Sequence, residues 1–383
     1  MITERFNSFV REQYKSKEDF IPLHVPMFKG NEKKYLLETI DSTFVSSVGK
    51  YVDQVELFLA EHTNTLKAVA VTNGTAAIQV ALRLVGVKSN DEVITQALTF
   101  VATANSIAYN GAMPIFVDVD LDTMGMSPSA LKAFLEEYGD KTEDGVYNRK
   151  TGKRISAVLP MHTFGFMCRI AEIQSICSDW GIPCVEDAAE ALGSQSDSKS
   201  AGSFGSLGVF SFNGNKIITS GGGGAIVTND SELGLRAKYL TTTAKRPHAF
   251  EYFHDELGYN FRMPNVNAAL LLAQLEKLEE YRISKSLVYM NYKDFFESKL
   301  DGIELIPIPE TTSQWNHWLM SVKLSNHDAR NEFLKATNEN GIMTRPIWQL
   351  MYKLPMYSVC QRDNQKNAED LEATIVNIPS SAI

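Results

Sequence analysis

Apolar positions in the first sixty residues recur at helical spacing. One segment opens at Asn31-Glu32-Lys33-Lys34, and Val52, Val55 and Leu59 mark the inner face of another. From about residue 68 the rhythm changes to short apolar runs separated by helix-length amphipathic stretches. The runs cover 68–72, 92–95, 114–117, 156–160, 182–185, 208–212 and 225–228. Such runs, each four or five residues long, predict strands buried on both faces, hence a seven-stranded, mostly parallel sheet in a large α/β domain. The stretch 139–154 (GDKTEDGVYNRKTGKR) is polar and rich in turn formers, and predicts a surface excursion or hairpin. After Asn265 a long helix is expected, with Ala269, Leu272, Ala273, Leu275 and Leu278 on its apolar side. Strand-like pieces at 303–308 and 317–324 and a helix at 329–340 then predict a smaller C-terminal α+β domain. The division expected is residues 1–245 for the helical lead-in and large domain, and 246–383 for the small one.

Composition narrows the function. Of 383 residues 44% are hydrophobic and 22% charged, which fits a globular chain of about two domains. The 37 basic and 46 acidic side chains leave a net charge of −9. With no basic block to neutralise phosphates, nucleic-acid binding is excluded as the main role. No segment approaches the ~18 consecutive apolar residues that cross a bilayer. The opening MITERFNSFVREQYKSKEDF is too charged for the core of a signal peptide, so no membrane association and a cytoplasmic location are expected. Cys168, Cys177, Cys184 and Cys360 show no CxxC pairing and no clustering with the histidines, which predicts reduced buried thiols and no metal site.

Four local features carry chemistry. Thr72-Asn73-Gly74-Thr75-Ala76-Ala77 takes a strand into a helix, and is either an ordinary Asn-Gly turn with a Thr cap or a phosphate cradle made by the helix's free first-turn amides. Val185-Glu186-Asp187-Ala188-Ala189-Glu190 places three carboxylates at the C-terminal end of a strand, where open α/β sheets bind ligands. Asp187 there either caps the next helix or faces a cation, such as the protonated ring nitrogen of a bound heterocycle. Ser211-Phe212-Asn213-Gly214-Asn215-Lys216 precedes the run 221–224 of four glycines. Lys216 is either a snorkelling surface residue or a desolvated amine able to form a Schiff base. The lysine precedes the glycines, so this is neither a Walker loop nor a GxGxxG fingerprint. Phe100, in Thr99-Phe100-Val101-Ala102-Thr103, is either core or a ring that stacks on a flat ligand. An amide cradle, an aromatic face, a carboxylate and an amine are together what pyridoxal 5′-phosphate requires.

These motifs, in order along the chain, are HVPMFKGNE, VTNGTAAIQVAL, DEVITQALTFVATANSI, PIFVDVD, VEDAAEALGS, SFNGNKIITSGGGGAIVTND, LGYNFRMPNVNAALLLAQLEKL and TRPIW. The chain resembles the DegT-type nucleotide-sugar aminotransferases, which share the fold-type-I architecture of aspartate aminotransferase. The resemblance implies that Lys216 joins the cofactor aldehyde and moves the proton, and that Asp187 pairs with the ring nitrogen. Glu190, where many relatives have Gln, would lie near the cofactor hydroxyl. Phe100 would stack on the ring, and Gly74, Thr75, Ala76 and Ser211 would hold the phosphate. Asn260 would reach the phosphate in a neighbouring subunit of a homodimer. GGGG stands where relatives commonly read GEGG, and Asn213 where many have His; neither removes a group the chemistry needs.

The implied reaction moves the amino group of L-glutamate to a nucleotide-linked keto sugar. The chain is most similar to the branch that aminates C4 of UDP-linked 4-keto-6-deoxy-N-acetylhexosamines, on the way to bacillosamine or legionaminic acid in polysaccharide and O-antigen biosynthesis. PMHTFG at 160–165, the glycine run and TRPIW at 344–348 carry that similarity. Ser46, Ser47, Val48, Gly49, His162 and Arg345 are the expected sugar–nucleotide contacts, Arg345 being the match to a diphosphate. A C3-keto or a dTDP- or GDP-linked substrate, a non-catalytic cofactor-binding regulator and a Rossmann-type dehydrogenase are the alternatives. A sugar dehydratase is disfavoured, since such relatives replace the lysine with His.

Overall fold

The computed structural model describes residues 2–297 and 302–383. Three helices lead in: α1 (Ile2–Gln13), α2 (Glu32–Asp41) and α3 (Lys50–Thr63). Strand and helix then alternate through β1 (Lys67–Val71), α4 (Gly74–Leu84), β2 (Glu92–Gln96), α5 (Val101–Tyr109), β3 (Met113–Val117) and α6 (Pro128–Tyr138). The polar stretch folds as the hairpin β4 (Gly139–Thr142) and β5 (Gly145–Asn148), followed by β6 (Arg154–Leu159), α7 (Ile170–Trp180) and β7 (Val185–Asp187). A small hairpin, β8 (Gln195–Ser196) and β9 (Lys199–Ser200), precedes β10 (Leu207–Ser211), β11 (Gly224–Thr228) and α8 (Ser231–Thr241). The remainder comprises α9 (Asn265–Leu275), α10 (Leu278–Glu297), β12 (Ile303–Leu305), β13 (Met320–Leu324), α11 (His327–Glu339), β14 (Arg345–Pro346), α12 (Lys366–Thr374) and β15 (Ile375–Ile378).

The large sheet runs β3-β2-β6-β7-β10-β11-β1, with β6 and β7 joined by the parallel bridges Val158–Cys184 and Met161–Asp187. Only β11 runs against its neighbours, and the other pairings are parallel. Strand alternation divides the core in two. Val69, Val71, Val93, Val209 and Ile226 pack with the inner face of α4, through Ala77, Ile78 and Ala81. Ala68, Ala70, Ile94, Phe210, Ala225 and Val227 belong to the larger cluster on the opposite face. The expected run 182–185 slides forward to Val185–Asp187, because the Asp187 N–H itself joins the ladder and donates to the Pro160 carbonyl at 2.9 Å.

The helix expected after Asn265 is two helices. α9 is buried on nearly every side and packs on α2 and α3, whereas α10 buries a single stripe of Leu278, Tyr281, Lys285, Val288, Tyr289 and Tyr292. The chain turns between them because the two helices serve different layers. α1 docks against α10 and α11, placing Phe6 5.1 Å from Phe333 and 6.3 Å from Tyr292 between ring centroids. The second sheet, β12-β13-β15-β14, is antiparallel throughout and sets Arg345 opposite Asn377. The tail beyond it threads back to the front of the chain. Ser380 N–H donates to Leu23 O at 2.7 Å, Val25 N–H to Ser381 Oγ at 3.0 Å, and Ile383 N–H to Ser284 Oγ at 2.9 Å.

All four cysteines are free and buried. Among the described residues, no helix is long and apolar enough to cross a membrane, and no group of three or more His, Cys, Asp or Glu side chains could hold a metal ion.

Candidate active site

At the C-terminal edge of the large sheet the chain leaves a cavity of about 630 Å³, closed on its far side by β14 and the segment around Trp318. The N-terminus of α4 opens into it. Asn73 caps this helix, its Oδ1 accepting from Ala76 N–H at 2.8 Å, and the first intrahelical bond runs from Ala77 N–H to Asn73 O. The amides of Gly74 and Thr75 precede that bond, so they and the positive end of the helix face an anion site. Gly74 makes the cradle possible: a Cβ there would stand 2.8 Å from Ser211 Cβ. The glycine run approaches from the other side, and a Cβ on Gly224 would stand 2.5 Å from the Asn73 carbonyl carbon. Gly222, by contrast, has room for a side chain.

Asp187 ends β7 and is 2% exposed. Its Oδ2 accepts from Thr103 Oγ1 at 2.7 Å and its Oδ1 from Ala189 N–H at 3.1 Å, so the carboxylate is held in one orientation. Burial raises its pKa above the ordinary carboxylate range, against the pull of those two donors. Glu190, on the loop that follows, accepts from Phe164 N–H through Oε2 at 2.9 Å and meets Lys216 Nζ through Oε1 at 3.2 Å. Burial pushes its pKa up to about 7, opposed chiefly by the charge of Lys216. Lys216 closes a tight turn in which its own N–H donates to Asn213 O at 3.1 Å. Its side chain points inward, 13% exposed, with Nζ 4.0 Å from the centroid of the Trp318 ring.

The structure therefore brings together Gly74, Thr75, Phe100, Asp187, Glu190, Ser211, Lys216 and Arg345 around one cavity. Ala76 lies just behind, as the residue whose amide Asn73 caps. Phe100 is 49% exposed at the rim, a ring face without a protein partner laid flat on it, and Trp348 is tilted 60° to it at 6.5 Å. Arg345 is exposed on β14 and enters no ion pair among the described residues. His162 is not brought to the cavity. It is fully buried, with Nε2 3.0 Å from Glu186 Oε2 and Nδ1 accepting from Cys168 N–H at 3.3 Å, so both ring nitrogens are occupied inside the protein. Ser46, Ser47, Val48 and Gly49 also stand off the cavity, against the start of α9, where Ser46 O accepts from Asn265 N–H at 2.5 Å. Asn260 is exposed beside Thr242, likewise outside its own cavity. Sequence reasoning missed Thr103, Trp318 and Asn377 among the lining residues. For Thr103 the available hint was Thr99 four residues earlier, whose hydroxyl pairs with its own at 2.7 Å.

These donors suit pyridoxal 5′-phosphate. A cradle that a single Cβ would fill, an uncovered aromatic face, an oriented buried carboxylate and an inward-facing amine correspond to its phosphate, ring, ring nitrogen and aldehyde.

Comparison with known proteins agrees. The model of the DegT/DnrJ/EryC1/StrS aminotransferase family matches residues 26–382. EpsN of Bacillus subtilis, provisionally named a pyridoxal phosphate-dependent aminotransferase, is 37% identical over 366 residues, covering 94% of this chain and 91% of its own. GDP-perosamine synthase of Escherichia coli O157:H7 is 34% identical over 363 residues, covering 94% and 93%. Among solved structures, the aminotransferase TlmJ from Streptoalloteichus hindustanus superposes with a TM-score of 0.84 at 25% identity, covering 94% and 93%.

Proposed function

Since the chain belongs to the DegT/DnrJ/EryC1/StrS aminotransferase family, and is thus a pyridoxal phosphate-dependent enzyme acting on nucleotide-linked keto sugars, we propose that it aminates C4. The donor is L-glutamate, and the acceptor is a 4-keto-6-deoxy sugar, UDP-2-acetamido-2,6-dideoxy-hexos-4-ulose in the first instance. One observation carries the catalytic part of this reading: Lys216, Asp187, Glu190 and the α4 N-terminus all open on one cavity.

When bound, the cofactor supplies an aldehyde for the lysine and a ring that withdraws electrons from the carbon losing its proton. The rest is work for the protein. Lys216 would supply the amine that joins the cofactor aldehyde and would carry the proton, since its Nζ lies in a mostly closed site beside the Glu190 carboxyl group. Asp187, immobilised by Thr103 and Ala189, keeps a proton on the heterocycle by facing it with a negative charge. Gly74, Thr75, Ala76 and Ser211 hold the phosphate, Phe100 covers the ring, and Glu190 sits beside the reacting amine. Arg345, uncompensated at the rim, takes the sugar's diphosphate. Asn260 stays away from its own cavity and serves the partner's in a homodimer.

GDP-linked sugars are the second reading, favoured by the resemblance to GDP-perosamine synthase. Incubating the purified holoenzyme with glutamate and a panel of UDP-, GDP- and dTDP-linked 3- and 4-keto sugars, followed by mass spectrometry, separates the two. Amination of the UDP-linked 4-keto N-acetyl sugar at the highest kcat/KM is expected. A preference for a GDP-linked or 3-keto sugar would overturn the assignment.

A further inference from the structure

We propose that Trp318 is a positioning residue for Lys216: its indole holds the lysine at both ends, and its ring face is the resting place of the amine whenever that amine is detached from the cofactor. The proposal rests on the reading of Lys216 given above.

Two contacts from one side chain carry it. The Trp318 ring lies under Lys216 Nζ at 4.0 Å, and Trp318 Nε1–H donates to the carbonyl of Asn215, the residue just before the lysine, at 2.6 Å. The indole is itself locked. Trp318 is 3% exposed, its backbone N–H donates to Asn316 Oδ1 at 3.0 Å, and Asn316 Nδ2 donates to the Glu190 carbonyl at 2.7 Å. The ring, the Glu190 backbone and the lysine turn therefore form one rigid bracket. Inside it Nζ lies 3.2 Å from Glu190 Oε1 and 4.0 Å from the centroid of the Trp318 ring.

This arrangement answers a mechanical need. A lysine that leaves its covalent partner in each half of the reaction must be kept close to it. A free four-carbon side chain would otherwise sample many rotamers before returning. A fixed platform on one side and a carboxylate on the other confine it without blocking the transfer of its proton.

The test uses the holoenzyme. Borohydride reduction of the pyridoxal-phosphate form and peptide mapping first locate the lysine; a tag anywhere but Lys216 overturns the reading of Lys216 and this proposal with it. With the tag on Lys216, the pyridoxamine-phosphate form is exposed to formaldehyde and a mild borane, and methylation of Lys216 is timed by mass spectrometry. Trp318→Phe keeps a ring face and loses the indole N–H, whereas Trp318→Leu loses both. Methylation about tenfold faster in Trp318→Leu, and within about threefold of wild type in Trp318→Phe, is expected for a desolvated cation–π contact. The kcat of Trp318→Leu should fall by about as much, with the sugar KM unchanged. Trp318→Met fills more of the volume and substitutes for Trp318→Leu if the latter does not fold. Equal methylation rates in all variants, with Lys216 still tagged, would refute the positioning role and leave the lysine assignment standing.

Discussion

Lys216 Nζ and Glu190 Oε1 lie 3.2 Å apart, on side chains 13% and 2% exposed, although 26 residues separate them in the chain. A carboxyl group this dry no longer titrates in its ordinary range, even with a lysine amine beside it. This gives the first prediction. Burial raises the Glu190 pKa to about 7 from its ordinary value, so the folded state binds this proton more tightly than the unfolded chain does. The resulting stabilisation is complete below about pH 4.5 and is lost as pH climbs through about 7; it amounts to about 3 kcal/mol. Thermal melts of the cofactor-free protein should show Glu190→Gln losing less stability than wild type between pH 5 and pH 8. Parallel curves would contradict it.

Replacing Lys216 with Ala or Arg removes the amine that joins the cofactor. Turnover should vanish, together with the near-visible absorbance of the lysine-bound cofactor, while circular dichroism stays unchanged. A fully active Lys216→Ala enzyme would sink the assignment.

Asp187→Asn keeps the shape and the Thr103 contact but loses the charge. The expected loss in kcat is roughly a hundredfold or more, since charge stabilisation in a water-excluded site is a large catalytic term. Thr103→Val, which frees the carboxylate without removing it, should cost less. Steady-state kinetics with glutamate saturating distinguishes the two, and an unaltered Asp187→Asn would refute the ring-nitrogen role.

A methyl group at Gly74 must displace Ser211 or the helix start, because the added Cβ falls 2.8 Å from Ser211 Cβ. Gly74→Ala should weaken cofactor binding by about tenfold or more and destabilise the chain by about 1–3 kcal/mol. Equilibrium dialysis with pyridoxal phosphate and a denaturant titration measure the two effects separately.

Arg345→Ala should raise the sugar KM by roughly tenfold or more, the size of a lost charge-assisted contact. The half-reaction with glutamate, which carries no diphosphate, should keep its rate. An unchanged sugar KM would remove Arg345 from the nucleotide site.

Much of the sheet was legible because buried parallel strands are nearly continuous apolar runs, and each of the seven found its place within a few residues. The antiparallel sense of β11 was not, since apolar content says nothing about strand direction. Asp187 and Lys216 announced themselves through neighbours in the sequence: a strand end followed by carboxylates, and a lone lysine beside glycines. Thr103 and Trp318 did not, because their partners lie 84 and 103 residues away and neither threonine nor tryptophan is rare enough to stand out. His162 pointed the wrong way. The resemblance carried by PMHTFG suggested a sugar contact, but the ring is a satisfied core histidine, paired with Glu186 through Nε2 and with the Cys168 amide through Nδ1. The break between α9 and α10 was hidden because both halves are good helix formers and only the change of packing layer separates them.

The interlocked ends of the chain have a practical side. Leu23 is at once a wall of the cavity and the acceptor for Ser380, and Ser381 fastens Val25. Replacing Ser381 with Ala removes one of these fastenings and would loosen that wall.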